Sequence, residues 1–251
     1  MEKQKINTPP QPSPQGEGVL KIDSTDELYT SKTNIKSPSP CEEGRGGGVL
    51  KSFHFADCQF EAGCDEAGRG CLAGSVYAAA VIFPKDYENS LLNDSKLLTD
   101  KKRKELREII KRDAISWAVG IVTAEEIDQI NILNASILAM HRALDQLSPR
   151  PERIIVDGNK FKKYKDIPHE TIVKGDGKYL SIAAASILAK TYRDDYMDAM
   201  AEQYPYYDWQ SNKGYPTKKH RQGIVEHGLT PIHRKSFNQL GTQEPMLPFE
   251  D

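Results

Sequence analysis

Apolar positions along this chain recur at two different periods, and the changes of period mark its elements. Residues 59–65 read as a strand running into a Gly-rich turn, and residues 75–83 (SVYAAAVIF) form an apolar, β-permissive run stopped by Pro84. Thr99 precedes DKKRKELREIIKRD, which places Leu106, Ile109 and Ile110 on one stripe of a basic amphipathic helix, so Thr99 is the expected N-cap. Residues 115–122 read as a further strand. Ile130, Leu133, Ile137, Met140, Leu144 and Leu147 keep helical spacing and predict one helix over residues 130–147. RIIVD at 153–157 is a short buried strand ending in a carboxylate. Residues 181–201 form an Ala-rich helix whose small side chains allow close approach to a sheet. Strands alternating with helices predict an α/β layered domain. From about residue 204 the pattern breaks into short helical pieces and turns.

Residues 1–53 lack this texture. They are rich in Pro, Gly, Ser and Lys, and PSPQGEGVLK at 12–21 returns imperfectly as PSPCEEGRGGGVLK at 38–51. Two polar copies are too few for a solenoid, so a disordered tail is expected there, a partner-binding peptide being the functional alternative. Residues 54–203 are then expected to form the main α/β domain and residues 204–251 a C-terminal helical region and tail.

Charge alters the picture little. With 34 basic and 36 acidic residues the formal charge is −2, so nucleic-acid binding has to rest on local patches. The four cysteines, Cys41, Cys58, Cys64 and Cys71, form no CxxC pair, and reduced thiols are expected. No apolar stretch suits a secretory signal or a membrane span, which points to a cytoplasmic protein.

Four acids stand where such a domain places its ligands. Asp65 and Glu66 close the first strand in GCDEAGRGCLAG, Asp157 ends RIIVD before Gly158, and Asp176 lies in KGDGKY ahead of the Ala-rich helix. Ligand sites of α/β sheets gather outside the carboxyl ends of strands. Neighbouring strand residues face opposite ways, so Asp65 and Glu66 reach one site only if the chain leaves strand geometry, which the Gly68 and Gly70 turn is expected to permit. Oxygen donors without Cys or His suit Mg²⁺ or Mn²⁺ rather than zinc. Two such ions about 4 Å apart would offset the acids' repulsion and clamp both oxygens of a phosphodiester displacement. Taken singly, each acid has a plainer role: Asp before Gly forms turns, and Asp176 could cap the next helix.

Six blocks narrow these alternatives. CDEAGRGCLAGSVYAAAVIF, LNDSKLLTDKKRKEL, INILNASILAMHRAL, the VDGN strand end, VKGDGKYLSIAAASILAKTYRD and NKGYPTKKHRQGIVEHGLTPIHRKSF together resemble bacterial ribonuclease HII, the type 2 ribonuclease H family, over nearly all of residues 59–237. The resemblance implies a ribonuclease H-like fold, with a central mixed sheet flanked by helices and a C-terminal helical region. It implies a four-carboxylate site on Asp65, Glu66, Asp157 and Asp176 holding two Mg²⁺ or Mn²⁺ ions. The implied activity is endonucleolytic: hydrolysis of the RNA strand of RNA–DNA hybrids, and cleavage 5′ to single ribonucleotides in duplex DNA, leaving 5′-phosphate and 3′-hydroxyl ends. Implied substrate contacts are Gly68, Arg69 and Gly70, Lys96, Lys190, and Tyr215 at the ribose 2′-hydroxyl, with Lys218 and Lys219 nearby. His233 of PIHR either touches DNA or satisfies a turn.

Cys71 and Ser75 stand where the family usually has Pro, a loss that raises loop entropy by about 1 kcal/mol and bears on the rigidity of the turn. EEGRGGG at 42–48 imitates the motif without a preceding strand and is not read as a site. Rival readings are another nuclease of the same fold, ribonuclease HIII, which has a folded N-terminal substrate-binding domain and a different residue in place of Arg69, and a non-enzymatic nucleic-acid-binding module. A monomer is expected; QLGTQEPMLPF at 239–249 has a spacing that only suggests a sliding-clamp ligand.

Overall fold

The computed structural model describes residues 50–92 and 99–241. Five strands form one sheet in the order β3-β2-β1-β4-β5: β1 (Glu61–Ala67), β2 (Val76–Ile82), β3 (Ser116–Val122), β4 (Arg153–Asp157) and β5 (His169–Ile172). β1 pairs antiparallel with β2, and β2 with β3, while β1–β4 and β4–β5 are parallel. The helices are α1 (Asp100–Asp113), α2 (Ala124–Ile130), α3 (Ile132–Asp145), α4 (Leu180–Gln203), α5 (Trp209–Asn212) and α6 (Lys218–His227). The anticipated strands all form, with ends shifted by a residue or two. Strand β5 was not anticipated: four residues with two polar side chains, HETI, carry too little period to register, and its parallel pairing with β4 is non-local.

Strand β2 is buried at every position because helices cover both faces of the sheet. Tyr77, Ala79 and Val81 pack with α1 and α4, whereas Ala78, Ala80 and Ile82 pack with α3. The approach is close. A Cβ on Gly63 would stand 2.4 Å from the Ser181 carbonyl carbon of α4, and one on Gly120 2.0 Å from the Ala139 oxygen of α3. Thr99 caps α1 as anticipated, accepting from the Lys102 N–H.

Two expectations need correcting. The single helix over residues 130–147 is two: Asn131, at φ 64°, ends α2 and caps α3 by accepting from the Asn134 N–H. At ψ 163° this conformation lies outside the left-handed helical region and breaks the helix, while the Asn131 side chain takes a backbone donor of the next one, which apolar spacing does not register. The ordered body also begins before residue 54. Leu50 is buried, and Lys51 exchanges backbone hydrogen bonds with Lys178 and Leu180 at 2.8 and 3.0 Å. His54 continues this strap, its Nδ1 lying 2.6 Å from the Tyr179 hydroxyl. Residues 1–49, with EEGRGGG, lie outside the described residues.

The C-terminal segment closes over α4. Residues 71–74 thread between two of its loops: Leu72 N–H donates to Gly214 O, Gly74 N–H to Ile232 O, and Arg234 N–H to Leu72 O, each at 2.8 Å. Leu72, Met197, Trp209 and Ile224 form a core beneath. Among the described residues no helix is long and apolar enough to cross a membrane.

Candidate active site

Strand β1 carries the first two acids, and it stays a strand through both. Its pairing runs on through Asp65↔Ala79 and Glu66↔Ala78 to Ala67↔Tyr77. The expected departure from strand geometry at the glycine turn therefore comes too late to align them. Cross-strand pairing with β2, which no local pattern reports, holds them on opposite faces. Asp65 lies on the α4 side, where the Ser186 side chain donates to it, and its own Oδ1 also accepts from the Glu66 N–H. Glu66 faces α3, in a cleft lined by Arg69, Ser136, Met140, Asp157, Asn159 and Lys160 among others.

Asp157 at the end of β4 joins the two. Burial, then the charges of Glu66 and Asp157, hold the Asp65 carboxyl well above the usual carboxylate range. Burial likewise raises Glu66, opposed by Arg69, whose Nη1 donates to its Oε1 at 2.9 Å. Oδ1 of Asp157 accepts from the Gly175 N–H at 2.7 Å, which draws the loop bearing Asp176 to the strand end. Asp176 sits in the 3₁₀ turn Gly175–Gly177; the N-cap of α4 is Tyr179, without a side-chain bond, so Asp176 does not cap that helix. Each of Asp65, Glu66 and Asp157 is thus occupied by a protein donor, and among the described residues no three acids, His or Cys already converge as a ligand set. The donors nevertheless fit a hard divalent cation: all are carboxylates, Asp65 is buried, and Glu66 and Asp157 line one cleft.

The turn beside them is braced from inside. Cys71 N–H donates to Gly68 O at 3.4 Å, a closure that Pro could not supply. Arg193, fully buried, donates to the carbonyls of Ser75, Ala73 and Lys213, and Arg234 to those of Gly74 and Arg69. The turn therefore has fixed anchors despite Cys71 and Ser75. Gly68, at φ 94°, leaves no space for a side chain, since its Cβ would meet Arg193 Nε at 2.1 Å. The half-exposed ring of Tyr215 stands over Gly70, where an added Cβ would lie 3.8 Å from its Cε1.

This arrangement has relatives. The family profile described as Ribonuclease HII matches residues 62–240. The chain belongs to the ribonuclease HII family. Ribonuclease HII of Phocaeicola vulgatus is 71% identical over 190 residues, covering 75% of this chain and 94% of that one. Ribonuclease HII of Bacteroides thetaiotaomicron is 70% identical over 189 residues, with coverage of 75% and 94%. Among solved structures, the ribonuclease H2 of Pyrococcus horikoshii OT3 superposes with a TM-score of 0.65 at 25% identity, over 72% of this chain and 95% of that one. The RNase HII of Archaeoglobus fulgidus, solved in a PCNA complex, gives 0.60 at 25% identity, over 71% and 95%. Bst-RNase HIII in complex with Mn²⁺ shares the fold, with a TM-score of 0.60 at 17% identity, over 73% and 68%. A ribonuclease H-like nuclease, a hydrolase, is therefore the identity of the catalytic body.

Within this ribonuclease HII framework the remaining candidates separate. Lys190 is exposed on α4, one turn beyond Ser186. Lys96 lies outside the described residues. Lys104 pairs with Asp195 at 2.7 Å, and Lys165 with Asp145 at 2.6 Å, so these two lysines are engaged in solvated ion pairs. His233 is buried and accepts the Thr230 N–H, which makes it the turn-satisfying residue of the two alternatives. Sequence reasoning missed Ser186, Arg193 and the interior role of Arg234. The signal for Ser186 was a polar residue in the apolar first half of α4; for Arg193, beside Asp194 and Asp195, and for Arg234 there was none.

Proposed function

We propose that the chain hydrolyses the RNA strand of RNA–DNA hybrids and cuts 5′ to single ribonucleotides within duplex DNA, leaving 5′-phosphate and 3′-hydroxyl ends. The observation that carries this reading is adjacency. The Gly68-Arg69-Gly70 turn, exposed at Arg69 and Gly70, is joined through Arg69 directly to an acid of the cleft. A nuclease indifferent to ribose needs the acids but not that turn, and a binding module needs neither.

Asp65, Glu66, Asp157 and Asp176 are the residues that would hold two Mg²⁺ or Mn²⁺ ions. Bound there, such ions lower the pKa of water and neutralise charge on a departing oxygen. The protein's own groups orient the substrate. Backbone groups of Gly68 and Gly70 approach the ribose, the Tyr215 phenol meets the 2′-hydroxyl, and Arg69, once released from Glu66, pairs with a phosphate oxygen. Lys190 and Lys96 hold flanking phosphates. No covalent enzyme intermediate is required. The catalytic unit extends to residue 203 and begins at Leu50, with residues 204–251 as the substrate-binding region. A monomeric state belongs to the same reading. A clamp ligand in QLGTQEPMLPF draws support from the A. fulgidus complex, although residues 242–251 lie outside the described ones.

A labelled DNA duplex with one ribonucleotide, incubated with Mg²⁺, Mn²⁺ or EDTA, tests the reading. One metal-dependent cut 5′ to the ribonucleotide, absent from all-DNA duplex, is expected. Equal cutting of all-DNA duplex would favour a ribose-indifferent nuclease, and sound hybrid binding without cleavage a binding module.

A further inference from the structure

Behind Tyr215 lies a buried chain of hydrogen bonds whose polarity follows from its ends. The Thr230 N–H donates to Nδ1 of His233 at 2.9 Å, so the proton of that neutral ring sits on Nε2. Nε2 of His233 faces Nε2 of His220 at 3.1 Å. The Trp209 indole N–H, which can only donate, reaches the same His220 nitrogen at 2.9 Å. That nitrogen is therefore an acceptor, and His220 carries its proton on Nδ1. From there the bond runs 2.9 Å to the Tyr215 carbonyl, which can only accept. Three of the links fix this pair of tautomers, and the contact between the two rings is consistent with it, the His220 Nε2 lone pair being shared by two donors.

The last link is not needed to satisfy the Tyr215 carbonyl, which already accepts from the Thr217 N–H at 2.8 Å. What it adds is direction: with both lone pairs engaged, the Tyr215–Pro216 peptide plane cannot rotate. Direction matters at this position. The Tyr215 ring is half exposed; its hydroxyl meets the Cys71 side chain at one end, and the backbone sets its aim over Gly70 at the other.

We propose that His220 is a positioning residue for ribonucleotide cleavage, fixing the Tyr215 peptide plane and through it the ring above Gly70. The proposal rests on the reading of Tyr215 as the ribose contact.

Two substitutions separate this role from mere filling of the core. His220→Asn puts an amide N–H near the former Nδ1 and keeps the bond to Tyr215. His220→Gln puts its amide near the former Nε2, keeping Trp209 and His233 company but losing that bond. Both are measured for kcat/KM on a duplex with one ribonucleotide, alongside thermal unfolding, in the wild-type and Tyr215→Ala backgrounds. His220→Gln is expected to lose on the order of tenfold or more, as small misplacements of reactive geometry do, while His220→Asn stays near wild type. In the Tyr215→Ala background His220→Gln should cost nothing further. Equal rates for the two variants, or an undiminished loss in the Tyr215→Ala background, overturn the proposal. If Tyr215→Ala itself cleaves like wild type, the reading of Tyr215 falls and the proposal with it. Imidazole ¹⁵N shifts of the unaltered protein give a readout independent of variant folding: Nδ1–H for His220 and Nε2–H for His233 are expected, and the opposite tautomer of His220 overturns the assignment.

Discussion

Nη1 of Arg69 donates to Oε1 of Glu66 across 2.9 Å, so the only side chain of the Gly68-Arg69-Gly70 turn closes on an acid of the cleft. A guanidinium in that place competes with any cation the carboxylate is to hold. Arg69→Ala should therefore bind Mn²⁺ several-fold more tightly by calorimetry, while its kcat/KM on ribonucleotide-containing duplex falls. Unchanged Mn²⁺ affinity would show that Glu66 takes no part in holding the ion.

Asp157 links the acids of β1 to the Asp176 loop through the Gly175 N–H. An amide oxygen can accept the same bond, so Asp157→Asn keeps the loop in place while removing a charge. Turnover should drop by about a thousandfold or more, the scale of several kcal/mol of transition-state stabilisation, with hybrid binding still measurable. Full activity in this variant would remove Asp157 from the site.

Burial and like charge raise Asp65 and Glu66 together, and a divalent cation relieves both. Thermal unfolding in excess EDTA should come at lower temperature than in Mg²⁺ or Mn²⁺. At a metal concentration a hundred times Kd, one ion contributes about 2.7 kcal/mol. Asp157→Asn should shrink that increment, and the same unfolding temperature with and without metal would contradict the site.

Burial, then the neighbouring His220, holds the His233 imidazole down at about 4 from an ordinary 6.5. Its folded-state value is depressed, so the unfolded chain binds the proton first. The stability associated with neutral His233 is full above pH 6.5 and is lost as pH falls toward about 4. Denaturant midpoints of wild type and His233→Gln, compared across that window, should move together above it, with wild type losing ground below. The difference between them isolates His233 from Glu61 and Asp65, whose raised values act in the opposite sense. A pH-independent difference would mean that His233 is not held neutral.

What the order of residues determined by itself was local. Alternating and helical periods placed β1 to β4, α1 and α4, and the strand ends placed Asp65, Glu66 and Asp157, because pleat, helix pitch and capping act over a few residues. Motif order over residues 59–237 supplied the family. Tertiary structure decided the rest. Pairing with β2 carries β1 through Glu66 and sets Asp65 and Glu66 on opposite faces, where a local reading had the chain turning out of the strand. Carbonyls of Arg69, Ala73 and Gly74, more than a hundred residues away in sequence, make interior donors of Arg193 and Arg234. Leu50 joins the body because Lys178 and Leu180 offer its neighbour backbone partners. The tautomers of His220 and His233 follow from Trp209, Thr230 and Tyr215 meeting in one core. Burial and hydrogen-bond direction depend on which distant groups arrive, and no window of sequence contains them.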